Sequence, residues 1–214
     1  MARIEITNLS KHFYSAKSRA PVIRRLTLSV DPGQILCLVG PNGSGKTTLL
    51  KILAGLTLPS AGSVHLDSID VHKDRSRAAA KIGALLADAP GFYDRLTGRE
   101  NLTFFSSLYG LSGKAFRAGF DHAAGLLGLE QLDRPFQEYS SGAKQRLRLA
   151  RALLHEPEVL LLDEPAKSLD ADSRSRLRDW LKEASSIRKK TVIISTHEEG
   201  EARALDGRVL ALPC

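Results

Sequence analysis

The stretch GPNGSGKT, residues 40–47, constrains the fold more than any other part of this chain. It matches G-x-x-x-x-G-K-[ST] at every fixed position. The apolar run QILCLV (34–39) precedes it, and TTLLKILAGL (47–56) follows with apolar residues at helical spacing. Strand, glycine-rich loop and helix in that order form a cradle for phosphate. Backbone N–H groups of Asn42, Gly43, Ser44 and Gly45 converge on the anion, and the helix N-terminus adds partial positive charge. Lys46 then reaches the β- and γ-phosphates, Thr47 ligates Mg²⁺, and Thr48 adds a hydroxyl near the α-phosphate. The alternative is a glycine-rich turn with no ligand, which the flanking strand and helix disfavour. Kinases, GTPases and motor ATPases share such a loop, so by itself it implies nucleotide binding and not the outcome.

The rest of the chain is read around that loop. RIEITNL (3–9) alternates with period two, VIRRLTLSV (22–30) follows, and DPG (31–33) turns the chain. SVHL (63–66) and KIGALL (81–86) are strand-like. Beyond Pro90 the texture becomes helical in LTGRENLTFFSSLYGL (96–111) and SGKAFRAGFDHAAGLLGL (112–129), with Thr97 and Glu100 at capping-box spacing. Strand texture returns in EVLLLD (158–163), TVIIST (191–196) and RVLAL (208–212), and the helical DSRSRLRDWLKEAS (172–185) separates the first two. Alternating strands and helices predict an α/β fold, a mainly parallel sheet with helices on both faces. With 214 residues and no internal repeat, the chain reads as one domain. Its core is residues 1–88 and 157–214, and 89–156 are a helical insert.

Net charge is +7, which suits polyanions: nucleic acid, anionic lipid or nucleotide phosphates. A solvated surface with excess lysine and arginine fits the same number. The two cysteines, Cys37 inside an apolar run and Cys214 at the end, make no disulfide framework, so a reducing cytoplasm is expected. The start, MARIEITNLSKHF, lacks the apolar core of a signal peptide. No apolar run approaches the roughly 18–20 residues of a membrane span, so work at a membrane requires another chain to cross it.

Two motifs in the second half choose an outcome for the loop. VLLLDEP sets Asp163 and Glu164 at the tip of a buried strand. A carboxylate there suits a Mg²⁺ shell, and its neighbour is suited to polarise an attacking water. The competing reading has Asp163 starting a turn and Glu164 facing solvent. In ISTHEEGEA, His197 lies at the carboxyl end of a strand, where ligands bind in such sheets. It is placed to contact the γ-phosphate and hold Glu164. A lone histidine there is often only structural, and the spacing excludes the zinc pattern H-E-x-x-H.

In order, GPNGSGKTT, a helical insert, YSSGAKQR, LLLDEP, SLD and STH resemble the nucleotide-binding subunit of an ABC transporter. The likeness covers nearly the whole chain and is strongest to bacterial exporter ATPases whose membrane subunit is a separate chain. It implies a P-loop NTPase fold, a RecA-like mainly parallel core with an antiparallel β-rich N-terminal part and an inserted helical subdomain. It implies a chain that hydrolyses MgATP, pairs with a second copy around ATP, and drives a multi-span permease from the cytoplasmic face, with no nucleic acid as partner. Phe13 or Tyr14 stands where an aromatic stacks on adenine, with Phe13 favoured. Lys46, Thr47 and Thr48 match the phosphate and metal ligands. Asp163 matches the Mg²⁺-associated aspartate, Glu164 the catalytic glutamate, and His197 the switch histidine. Ser168, Leu169 and Asp170 match the loop that meets its copy across the dimer. Ser140 and Gly142 stand where the family grips the γ-phosphate of the opposite subunit.

The chain departs from the family pattern in two places. No glutamine opens the helical insert; by position Asp88 is the substitute Mg²⁺ ligand, and the alternative alignment puts Ala87 there and leaves the role empty. Ser141 and Ala143 replace a glycine and a glutamine of the usual L-S-G-G-Q. The rival expectation is an ABC-type ATPase acting on ribosomes or DNA. A single nucleotide unit and the lack of a long coiled coil in the insert weigh against it. The cargo is not encoded in these residues, and haem, drug, lipid and polysaccharide export all remain open.

Overall fold

The structure, a computed structural model, describes residues 3–13, 21–87 and 91–212. Strand β1 (Ile4–His12) pairs antiparallel with β2 (Pro21–Val30) and β4 (Ala61–Leu66), and β4 pairs with the two-residue β5 (Ile69–Asp70). Strands β3 (Ile35–Val39), β6 (Ile82–Leu85), β7 (Val159–Asp163), β8 (Thr191–Thr196) and β9 (Arg208–Ala211) form a second sheet, in the order β6-β7-β8-β3-β9. Every pairing in it is parallel. This is the mixed α/β architecture expected from the sequence.

Side-chain alternation along the parallel strands builds two cores back to back. Leu160 and Leu162 of β7 pack with Ile35, Cys37, Val192 and Ile194 in one core. Helices α3 (Gly98–Leu108), α4 (Gly113–Leu127), α5 (Ser141–Leu153) and α6 (Ala171–Ser186) contribute Leu102, Phe120, Leu147 and Leu181 to it. Val159 and Leu161 point the other way. They pack with Leu36, Leu38 and Ile193, with β1 and β4, and with Leu49 and Ile52 of α1 (Lys46–Leu53). Cys37 is fully buried; burial, with the nearby Glu201 charge, pushes its thiol up to about 11, so it stays protonated. Cys214 lies outside the described residues.

Register brings the chemistry to one edge. Val39 pairs with Thr196 and Asp163 with Ser195, so β3, β7 and β8 end side by side. The phosphate loop, the acid pair and His197 leave the sheet from those ends. Two short helices, α2 (Arg75–Lys81) and α7 (Glu199–Ala204), and a 3-10 turn at Phe136–Glu138 complete the elements of the described residues. An ionic cluster ties the antiparallel sheet to the parallel one. Asp67 takes Arg3 at 3.1 Å and Lys81 at 3.0 Å, while Glu158 takes Lys81 at 2.8 Å and Arg3.

Helix α3 begins with the expected capping box, since Thr97 Oγ1 accepts from the Glu100 N–H and the Glu100 carboxylate accepts from the Thr97 N–H. Behind it the fully buried Asn101 holds the preceding turn, donating to the Tyr93, Leu96 and Thr97 carbonyls and accepting from the Tyr93 N–H. No helix among the described residues is long and apolar enough to cross a membrane.

Candidate functional site

The phosphate loop turns back over the end of β3 and enters α1 at Gly45, whose φ is 95°. A side chain there would meet the Val22 Cγ1 at 2.8 Å, so only glycine fits both the backbone and the space. No side chain caps α1, so the first-turn N–H groups stay available to an anion. Asn42 and Gly43 are exposed at the tip, and the Ser44 hydroxyl is buried without a partner. Lys46 is 6% exposed, and its Nζ donates to the carbonyls of Gly40 at 2.6 Å and Pro41 at 2.9 Å. Thr48 sits in the first turn of α1.

Thr47 and Asp163, 116 positions apart in sequence, meet: Thr47 Oγ1 donates to Asp163 Oδ2 at 2.7 Å. The other carboxylate oxygen accepts from Ser195 Oγ at 2.5 Å. Ser195 Oγ also accepts from the Glu164 N–H at 3.0 Å, so one buried hydroxyl on β8 orders both acids. Glu164 itself has φ 47°, a left-handed backbone that costs a non-glycine residue about 1–2 kcal/mol. Its Oε1 lies 2.5 Å from His197 Nε2, and its Oε2 lies 3.4 Å from Lys167 Nζ. Burial pushes the Glu164 carboxyl up, but the hydrogen bond and charge of His197, with Lys167, outweigh it and hold the carboxyl below its usual range. The far ring nitrogen of His197, Nδ1, faces the Gly40 carbonyl at 3.2 Å and Lys46 Nζ at 3.5 Å. One imidazole thus links the acid pair to the phosphate loop.

The donor set suits MgATP. Thr47 and Asp163 would offer a hard cation such as Mg²⁺ two adjacent oxygens. Among the described residues no group of three His, Cys, Asp or Glu forms a separate metal cage. Asp88 and Tyr14 lie outside the described residues. Phe13 is 50% exposed, with Lys11 Nζ 4.9 Å from its ring centroid.

The ABC transporter family profile matches residues 23–167. The ABC transporter ATP-binding protein NatA of Bacillus subtilis is 32% identical over 98% of this chain and 85% of its own length. The chain belongs to the ABC transporter family. The bacitracin transport ATP-binding protein BcrA of Enterococcus faecalis is 37% identical over 91% of the chain, which spans only 61% of that protein. The ATP-binding cassette MJ0796, solved as a dimer in a post-hydrolysis state bound to ADP and Pi, superposes with a TM-score of 0.87. It shares 26% identity over 98% of this chain and 94% of its own. As an ABC cassette the chain is an ATP-binding subunit and an ATPase.

Ser140 and Gly142 of the YSSGAKQR stretch make no bond to the phosphate loop, the acid pair or His197. Ser140 caps α5, its Oγ accepting from the Ala143 N–H at 3.2 Å, and it is exposed. Gly142 packs so close to Ser168 that a side chain would meet the Ser168 carbonyl at 2.7 Å. Neither bonds to the phosphate loop of its own chain. Asp170 caps α6, accepting from the Ser173 N–H at 2.7 Å, and Arg146 of α5 donates to the Ser173 hydroxyl at 3.3 Å. Two residues in this region went unread in the sequence. Ser195 lies within STH and Gln145 within YSSGAKQR; the structure buries both, and the one signal in the sequence is that each neutral polar residue falls inside a motif already singled out.

Proposed function

We propose that two copies of this chain close around two MgATP molecules, each site pairing the phosphate loop and acid pair of one copy with Ser140 and Gly142 of the other. The observation that carries this reading is the division of the site. Lys46, Thr47, Asp163, Glu164 and His197 meet in one cluster bonded through Ser195, while Ser140 stands exposed at the start of its own helix. An exposed hydroxyl at a helix N-terminus suits the γ-phosphate of a second copy. The dimeric state of MJ0796 agrees with the pairing.

In this site the loop N–H groups and Lys46 hold the β- and γ-phosphates. Thr47 and Asp163 would hold Mg²⁺, which would supply positive charge to neutralise the phosphates. Glu164 accepts a hydrogen bond from the attacking water, and His197 keeps its carboxylate turned toward the phosphate. Closure and reopening of the pair drive a separate multi-span permease from the cytoplasmic face of the membrane, in the direction of export. Glu164→Gln is the test. ATP binding is retained, hydrolysis falls by roughly 10²–10⁴-fold, and ATP accumulates the dimer on size exclusion. A variant that stays monomeric and fully active overturns the proposal.

A further inference from the structure

Glu164 occupies a backbone conformation that its sequence neighbourhood opposes. Its φ of 47° is unfavourable for any residue with a side chain, and the next residue, Pro165, pushes the one before it toward extended backbone. Something must hold the turn from both ends. On the N–H side, Glu164 donates to Ser195 Oγ at 3.0 Å and to the Ser195 carbonyl at 3.2 Å. On the carbonyl side the Glu164 carbonyl accepts from the Lys167 N–H at 3.1 Å, and Gln145, 8% exposed on α5, is the side-chain partner. Its Nε2 lies 3.1 Å from the Pro165 carbonyl and 3.4 Å from that of Glu164. The two acceptors take both amide hydrogens and fix which end of the side chain faces them.

We infer that Gln145 is a positioning residue for hydrolysis: by holding the carbonyls of Glu164 and Pro165 it maintains the left-handed turn that aims the Glu164 carboxylate at His197. Without those two bonds only Ser195 and the Lys167 N–H restrain the turn, the Pro165 carbonyl loses its Gln145 donor, and the carboxylate spends less time on the line between His197 and the phosphate loop. The placement has a second effect. Gln145 lies in the second turn of the helix that Ser140 caps, so the signature and the glutamate loop of one chain move as one piece. In the dimer proposed above those two elements serve different ATP molecules. Gln145 therefore links the two sites through a single chain. The inference rests on the assignment of Glu164 as the water-polarising residue.

The test uses the full chain, with steady-state ATPase rates and equilibrium ATP binding measured on the same preparations. Gln145→Leu keeps the bulk and removes both donors; kcat is expected to fall by about tenfold or more while the Kd for ATP stays within about twofold. Gln145→Glu supplies a second readout. Near pH 8 its carboxylate faces two carbonyls and activity matches the leucine variant. Near pH 6 the protonated fraction donates one bond, and activity relative to wild type rises several-fold. Should the leucine variant fail to fold, this pH profile decides. Wild-type kcat in Gln145→Leu, a loss confined to ATP affinity, or a pH-independent ratio for Gln145→Glu overturns the inference. Glu164→Gln run in parallel separates the two readings. If it hydrolyses ATP normally, the assignment of Glu164 fails and takes this inference with it. If it is inactive while Gln145→Leu is normal, only the inference falls.

Discussion

At the scale of the residue, the site depends on a few backbone conformations that ordinary side chains avoid. Gly45 shows the cost most directly. Its φ of 95° and the 2.8 Å approach of Val22 leave no room for a β-carbon. Gly45→Ala is expected to lose about 1–3 kcal/mol of stability, read from denaturant unfolding. Its ATP affinity should fall by more than that strain alone accounts for, because the N–H groups at the start of α1 lose their aim. The loop was legible at once because seven bonds of chain carry the whole pattern. Ser195 and Gln145 were not legible, although both lie inside motifs that were read. Their value comes from what they touch across 31 and 19 or 20 positions of sequence, and a serine or glutamine in a string does not announce its acceptor.

At the scale of the element, the helix α5 carries two jobs at its first turn. Ser140 caps the helix, and in the dimer proposed above it also presents its exposed hydroxyl to the second copy. The cap is worth about 0.5–2 kcal/mol. Ser140→Ala should therefore lower the thermal midpoint modestly and leave ATP binding by the monomer intact, while ATP-driven dimerisation measured by light scattering falls much further. A loss confined to stability would show that the serine is only a cap. The long elements were visible from their period and caps: Thr97 with Glu100 opened α3 as expected, and the apolar runs of β3, β7 and β8 became the buried strands. The missed elements, β5, α2 and α7, have two, seven and six residues. None completes enough turns or alternations to show a period. In α2 only Ala78 is buried, so its sequence carries almost no apolar stripe.

At the scale of the whole molecule, the helical layer meets the sheet at His155. Its ring stacks on Tyr109 at the end of α3, with centroids 3.9 Å apart and planes 7° from parallel, and its Nε2 reaches the Ile82 carbonyl at the start of β6 at 3.1 Å. Burial pulls His155 down to about 4, although the Ile82 carbonyl favours the charged ring. A folded value below the unfolded one, near 6.5, means that the unfolded chain binds the proton first. Stability is therefore complete above about pH 6.5 and declines as pH falls toward 4, by on the order of 1–2 kcal/mol at pH 5. Denaturant unfolding at both pH values checks this, and His155→Phe, which keeps the stack, should flatten the slope. The back-to-back cores carry one more consequence, in the currency of heritable change. Because Leu160 and Leu162 face one core and Val159 and Leu161 the other, β7 tolerates swaps of shape far better than changes of count. Loss of a single codon within 160–162 would send the strand residues on one side of it to the opposite core, or turn Asp163 away from Thr47.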